Sequence, residues 1–121
     1  MHVSTIAPSV PLESGDVVVF DRGYNDFAWF KTLVDKHVFF VTRLKKKACY
    51  KVIERRPVNH KDIYSDQIIE FTGFYTHKKC PYRLRRIRSI DRKTGKIIVI
   101  LTNNFSWSAK TIALTSWPSA N

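Results

Sequence analysis

Two short apolar runs with an amphipathic segment between them constrain the fold of this chain most strongly. The first run, Val17–Phe20, consists of β-branched and aromatic residues without polar alternation, which predicts a strand buried on both faces. The second run, Val38–Val41, predicts another such strand. Between them, Asp26–Lys36 predicts a helix whose apolar stripe consists of Phe27, Phe30, Leu33 and Val34. This order predicts a βαβ unit with parallel strands and a right-handed crossover.

The following sixty residues have a different character. From Ala48 to about Thr102 the sequence predicts strands and turns without a helix. The clearest predicted strands are Asp66–Thr72, Leu84–Ile90 and Lys96–Thr102. A hairpin should join the last two, because Gly95 can supply a left-handed turn residue. Ser106 or Ser108 should then cap a short helix that ends near Leu114.

These patterns predict an α/β fold in a chain of one domain's size, 121 residues. We expect four parts. Residues 1–14 are Ser/Pro-rich and predict an irregular entry segment. Residues 15–44 contain the βαβ unit and residues 45–105 the β-rich part. Residues 106–121 contain the short helix and a frayed tail.

The charge indicates a polyanionic partner. Lys and Arg total 21 against 10 Asp and Glu, which gives a net charge of +11. Nucleic acid is the usual partner of so basic a chain, whereas a membrane surface is disfavoured because the charges do not follow one amphipathic helix. The alternative is that these cations protect solvated sheet edges. The main clusters are Arg43 with Lys45–Lys47, Arg55 with Arg56, Lys78 with Lys79, and Arg83, Arg85, Arg86 and Arg88.

Other classes of protein find little support. Cys49 and Cys80 predict unpaired thiols and a cytoplasmic protein, and neither has zinc-ligand spacing. The four histidines are scattered, and the sequence has no glycine-rich phosphate loop. The N-terminus does not have the pattern of a signal peptide, and the longest aliphatic run, Ile97–Leu101, is too short to span a membrane.

Asp21 is the residue with the most specific chemical potential. It follows the first buried strand directly, where open α/β sheets place ligand and catalytic groups. A carboxylate there can hold Mg²⁺, which prefers oxygen ligands. Alternatively, Asp21 only begins the turn Asp21–Tyr24, because Asp is a good turn former. Spacing alone favours this second interpretation.

Four ordered segments resemble DDE-type transposases of bacterial insertion sequences, in the "IS-four" group, around their second catalytic Asp. The resemblance covers roughly Leu12 to Leu114. The strength lies in the ordered set, since the Asp-Arg-Gly-Tyr element alone is weak. The four segments are Gly15–Phe27, Phe39–Lys45, Leu84–Arg88 and Leu101–Phe105.

The resemblance implies a partial ribonuclease-H-like catalytic core, followed by a β-rich insertion. It implies DNA strand cleavage and transfer dependent on Mg²⁺ or Mn²⁺, with DNA as partner, no small-molecule substrate, and a dimer in the full-length family. Asp21 becomes a catalytic metal ligand. The implied DNA-binding residues are Arg22 and Tyr24 beside the active centre and Arg43 and Lys45 beyond it. Charge clustering adds Arg83, Arg85, Arg86 and Arg88.

Two departures from the family pattern matter. The first catalytic Asp should lie well upstream of Asp21, and the third acid should be a Glu in a helix after Ala109–Leu114. Here Thr115–Pro118 follows instead, and no Glu occurs after Glu70. We therefore expect a transposase fragment that is inactive alone. The missing core strands would leave Val17–Phe20 as an exposed, aggregation-prone edge. The alternative is a non-catalytic, basic nucleic-acid-binding module.

Overall fold

In the computed structural model, the residues that the structure describes are 3–5, 13–20, 27–44, 49–73, 78 and 80–115. None of the described helices is long and apolar enough to cross a membrane. The described strands and helices are β1 (Val3–Thr5), β2 (Val17–Phe20), α1 (Phe27–Asp35), β3 (Phe39–Arg43), β4 (Tyr50–Arg55), β5 (Ile63–Phe71), β6 (Leu84–Ile90), β7 (Ile97–Thr102) and α2 (Ala109–Thr115).

One mixed sheet contains all seven described strands, in the order β1-β2-β3-β7-β6-β5-β4. The first three strands are parallel, and the remaining neighbours are antiparallel. The predicted βαβ unit is confirmed, because β2 and β3 are parallel neighbours joined through α1. The α/β class is therefore confirmed as well. The sheet continues across the boundary expected at residue 44, since β3 pairs directly with β7.

The two helices cover opposite faces of the sheet. Val18 and Phe20 of β2 belong to the same apolar cluster as Phe30 of α1. Val17 and Val19, which point the other way, belong to the cluster that contains Ile112 of α2. We call these two sides the α1 face and the α2 face. All four residues of β2 are buried, as the uninterrupted apolar run predicts.

Aromatic packing holds α1 on the sheet. The ring of Phe30 stacks on that of Phe40 in β3, with centroids 4.8 Å apart. Leu33 is also buried, which confirms the predicted apolar stripe for the part whose side chains the structure describes. After the helix, His37 adopts a left-handed φ of 59°, and the chain turns directly into β3.

Two expectations about the start of the chain are wrong. Val3–Thr5, in the segment expected to be irregular, forms β1 and pairs with Val17–Val19 in parallel. Consequently β2 is not an exposed edge, because β1 and β3 cover its two sides. A strand of three residues is too short to show a periodicity in sequence, and Ser and Pro around it favour a loop.

The predictions for the β6–β7 connection and for the last helix are confirmed. Gly95 has a left-handed φ of 72°, and its amide donates to the carbonyl of Asp91 at 2.7 Å. Between the two candidate caps of α2, the structure selects Ser108, whose Oγ accepts a hydrogen bond from the amide of Thr111 at 3.1 Å.

Candidate nucleic-acid interface

The carboxyl ends of the parallel strands are the expected location of the catalytic carboxylate. Asp21, Arg22, Tyr24 and Lys45 all lie outside the described residues. The last described residue of β2, Phe20, pairs with Thr42 of β3, so that Arg43 is one position beyond this pair. Arg43 is half-buried and pairs with Ile100 on β7. The structure therefore brings one predicted DNA-binding cation to the edge where β2 ends.

Two of the predicted cations on β6 lie on the α1 face. Arg86 is half-buried between Gln67 and Tyr50. Its Nη1 donates to the side-chain oxygen of Gln67 at 3.0 Å, and its Cζ lies 4.9 Å from the centroid of the Tyr50 ring. Burial lowers the pKa of Arg86, and the nearby charge of Arg88 adds to this shift, although a guanidinium stays protonated in proteins. Arg88, two residues further along the strand, is half-buried beside Ser65 of β5.

Arg83 lies just before β6 and is more open to solvent. Its side chain is 62% exposed, and Nε is 3.6 Å from a carboxylate oxygen of Glu70. An exposed pair of this kind contributes little to stability and exchanges readily with other anions. Arg83, Arg86 and Arg88 thus remain candidates for phosphate contacts.

Arg85 requires a correction. Its residue is only 2% exposed, and its guanidinium donates to both carboxylate oxygens of Asp66 at 2.8 and 2.6 Å. Nη1 also donates to the carbonyls of Asn104 and Trp107. With these bonds made, Arg85 does not present its charge at the surface, so the expected contact with a DNA phosphate is incompatible with its position. The strand alternates its side chains, which sends Arg85 to the interior of the α2 face.

The family described as "Transposase DDE domain" matches residues 3–116 of the chain. The chain belongs to this transposase family. A relative from Sinorhizobium fredii (strain NBRC 101917 / NGR234), named "Putative transposase y4zB", is 29% identical over 113 residues. That alignment covers 89% of this chain and 31% of the relative, so the chain spans about a third of that protein's length. No solved structure matches the chain.

Membership of the DDE transposase family implies a divalent metal ion that is held by several acidic side chains. The described residues do not provide that set of acids. No group of three His, Cys, Asp or Glu side chains is placed to hold an ion in the part of the chain that the structure describes. Among the described acids, Asp16 is the one nearest to Asp21 along the sequence, but it precedes β2 and so lies at the amino end of that strand. Its Oδ2 accepts a hydrogen bond from the amide of Glu13 at 2.9 Å. The described residues alone therefore do not fit a complete metal centre of this transposase.

Sequence reasoning missed a cluster around Asp62 at the start of β5. This buried carboxylate accepts hydrogen bonds from Arg92, with Nε at 2.7 Å, and from Lys110 of α2 at 3.0 Å. The bond from Arg92 is the main cause that lowers the pKa of Asp62 far below its usual range, and Lys110 lowers it further. The cluster joins the β6–β7 hairpin and α2 to β5. Arg92 and Lys110 are 30 and 48 residues from Asp62 in sequence, so no local motif predicts these contacts.

Proposed function

We propose that this chain is part of the catalytic core of an insertion-sequence DDE transposase, an enzyme of DNA strand cleavage and transfer. The supporting observation is the family match across residues 3–116, in a chain where Asp21 directly follows the buried parallel strand β2. In the proposal, Asp21 is a metal-ligating catalytic residue and the βαβ unit is part of a ribonuclease-H-like core. The antiparallel strands β4–β7 then correspond to the β-rich insertion.

Position supports this role for Asp21. The carboxyl ends of neighbouring parallel strands meet at one edge of a sheet, and such edges collect catalytic groups in α/β proteins. An aspartate there supplies the hard oxygen ligand that Mg²⁺ or Mn²⁺ prefers. When bound, a pair of such ions stabilises the attacking and leaving oxygens of phosphoryl transfer.

One carboxylate does not assemble such a centre. We therefore propose that the chain alone does not cleave DNA and that the other acids of the catalytic set are not among its described residues. Binding of DNA does not require them, because phosphate contacts depend on the basic surface. Arg22, Tyr24, Arg43, Lys45, Arg83, Arg86 and Arg88 are the proposed DNA-contacting residues, and a dimer is proposed for the full-length protein.

A titration with Mn²⁺ tests the role of Asp21. We expect weak binding by the intact chain, detected by electron paramagnetic resonance, that is lost in Asp21→Asn. Asp16→Asn is the matched control, because it removes one negative charge at the other end of β2 and should leave the binding unchanged. Equal binding by all three proteins would refute the metal-ligand role.

The second candidate is a non-catalytic, nucleic-acid-binding module. It is favoured by the net charge of +11. This candidate predicts DNA binding that is indifferent to Mn²⁺ and to Asp21→Asn. The same titration, repeated in the presence of duplex DNA, separates the two.

A further inference from the structure

An open cleft of about 470 Å³ lies on the α2 face, away from Arg86 and Arg88. One wall is the connection from β4 to β5, with Arg56 and His60. The opposite wall runs from Ser106 to Lys110 and consists of the segment before α2 and the first two residues of that helix. The buried pair of Arg85 and Asp66 lies between these walls. None of the described residues proposed to contact DNA lines this cleft.

Arg56 is held in place in the cleft without having all its hydrogen bonds satisfied. Its backbone amide donates to the carbonyl of Asp66 at 2.7 Å, and Nη2 donates to the carbonyl of Phe105 at 3.2 Å. Nη1 is shielded from water and has no acceptor among the residues that the structure describes. An unpaired, desolvated N–H of a charged group is costly, so that an anionic acceptor would be strongly favoured at this point.

The charge around the cleft is also unbalanced. Asp66 neutralises Arg85, while Asp62 is shared between Lys110 and Arg92. Among the residues that line the cleft, three are cations (Arg56, Arg85 and Lys110) and one is a carboxylate (Asp66). Arg85 and Lys110 have carboxylate partners in Asp66 and Asp62, so the charge of Arg56 is the one that these carboxylates leave uncompensated. The positive potential is therefore concentrated in a concave site that excludes part of the solvent, where it attracts anions more strongly than a flat surface does.

We propose that this cleft binds a phosphate group, with Arg56 as the principal ligand. A guanidinium offers parallel N–H donors that match two phosphate oxygens, and Nη1 of Arg56 is the donor that has no acceptor among the described residues. His60 adds a second donor, because its Nδ1 already accepts the amide of Asp62 at 3.0 Å and leaves Nε2 as the donor of the ring. Trp107 provides an apolar wall for whatever carries the phosphate. The site does not depend on the proposed role of Asp21.

The first arm of the test uses inorganic phosphate and the full chain. We expect a titration followed by NMR to shift the Trp107 indole and the amides of residues 56–60, whereas chloride at equal ionic strength should not. Arg56→Gln should weaken binding about tenfold, which is the scale of one charge-assisted hydrogen bond. Arg55→Gln is the matched control, because it removes the same charge from the neighbouring, exposed residue.

The second arm identifies the source of the phosphate. A single-stranded oligonucleotide that shifts the same resonances, and binds Arg56→Gln more weakly than Arg55→Gln, assigns the cleft to nucleic acid. Shifts with inorganic phosphate alone assign it to the free anion. The proposal is overturned if phosphate leaves these resonances unmoved, or if the two variants weaken binding equally. The shifts in the unmodified chain decide the matter even if Arg56→Gln does not fold, and none of these outcomes depends on the titration of Asp21 with Mn²⁺.

Discussion

The guanidinium of Arg85 and the carboxylate of Asp66 form a two-point salt bridge in the interior of the protein, with side chains 2% and 3% exposed. The pair lies where β5 and β6 meet the segment before α2, since Arg85 also donates to the carbonyls of Asn104 and Trp107. Nearly all donors of the guanidinium are thereby used, which is the condition under which a buried charge is tolerated.

Arg85→Met should destabilise the fold strongly. The substitution keeps most of the volume but leaves Asp66 buried without its cation, for which we expect a loss of about 3–5 kcal/mol in the free energy of unfolding. Urea denaturation at neutral pH measures this loss. Arg83→Gln, which removes an exposed cation of the same segment, should change stability by no more than about 0.5 kcal/mol. Unchanged stability of Arg85→Met together with weaker DNA binding would contradict the structural assignment.

Asp62 should make stability depend on pH in the acidic range. Its pKa in the folded protein is held far below the usual value by Arg92 and Lys110, whereas in the unfolded chain it returns to about 3.9. A lowered folded pKa gives stability that is fully present above the unfolded pKa and is lost as pH falls towards the folded pKa. We expect Asp62→Asn to be less stable than the intact chain at pH 6.

Urea denaturation at several pH values between about 6 and 2 measures this dependence, since that window contains the unfolded pKa of Asp62. The difference in stability between the intact chain and Asp62→Asn should shrink as the pH falls, because protonation removes the same charge that the substitution removes. Glu54→Gln is the comparison, since it removes an exposed carboxylate of β4. A difference that stays constant down to pH 2 would contradict the ion-pair cluster.

The local part of the fold was predictable from sequence, and its long-range part was not. The apolar run at β2 and the stripe of Phe30 and Leu33 report burial through periodicity, which is a property of neighbouring residues. The same holds for the left-handed turn at Gly95. In contrast, the pairing of β3 with β7 joins Arg43 to Ile100, and no local pattern encodes that contact.

The misassignment of Arg85 has a physical reason that the sequence does contain. Four cations within six residues predict one basic surface, although a strand alternates its side chains between two faces. Ile87 is buried and shares a face with Arg85, whereas Arg86 and Arg88 share the other. The period of two therefore separates Arg85 from its basic neighbours. The alternation does not predict that Asp66 is the partner of Arg85, because Asp66 lies on the adjacent strand, 19 residues away in sequence.

Binding of DNA should be electrostatic and should depend on Arg88. Each phosphate contact contributes about 0.9 to the slope of log affinity against log salt, so that Arg88→Gln should reduce the slope by about 1. The effect should be equal for duplexes of unrelated sequence, because phosphate contacts carry no sequence information. Fluorescence anisotropy at several salt concentrations measures it.

Lys31→Gln is the control for the loss of one positive charge. Its ammonium pairs with Asp35 within α1 at 2.9 Å, and we expect the salt slope to stay at the value of the intact chain. Equal reductions in both variants would show that only the net charge matters and would remove Arg88 from the proposed interface.

Gly95 should be replaceable by Asn but not by Ala. Its φ of 72° is costly for a residue with a Cβ, yet an added Cβ would meet no atom within 4 Å, so that backbone strain is the only expected cost. We expect Gly95→Ala to lose about 1 kcal/mol in urea denaturation, and Gly95→Asn to lose less because Asn tolerates this conformation. Equal losses would point to a steric cause instead. Neither substitution changes the pairing of Arg88 with Val99 as long as the chain stays folded. We therefore expect both variants to keep the DNA affinity of the intact chain.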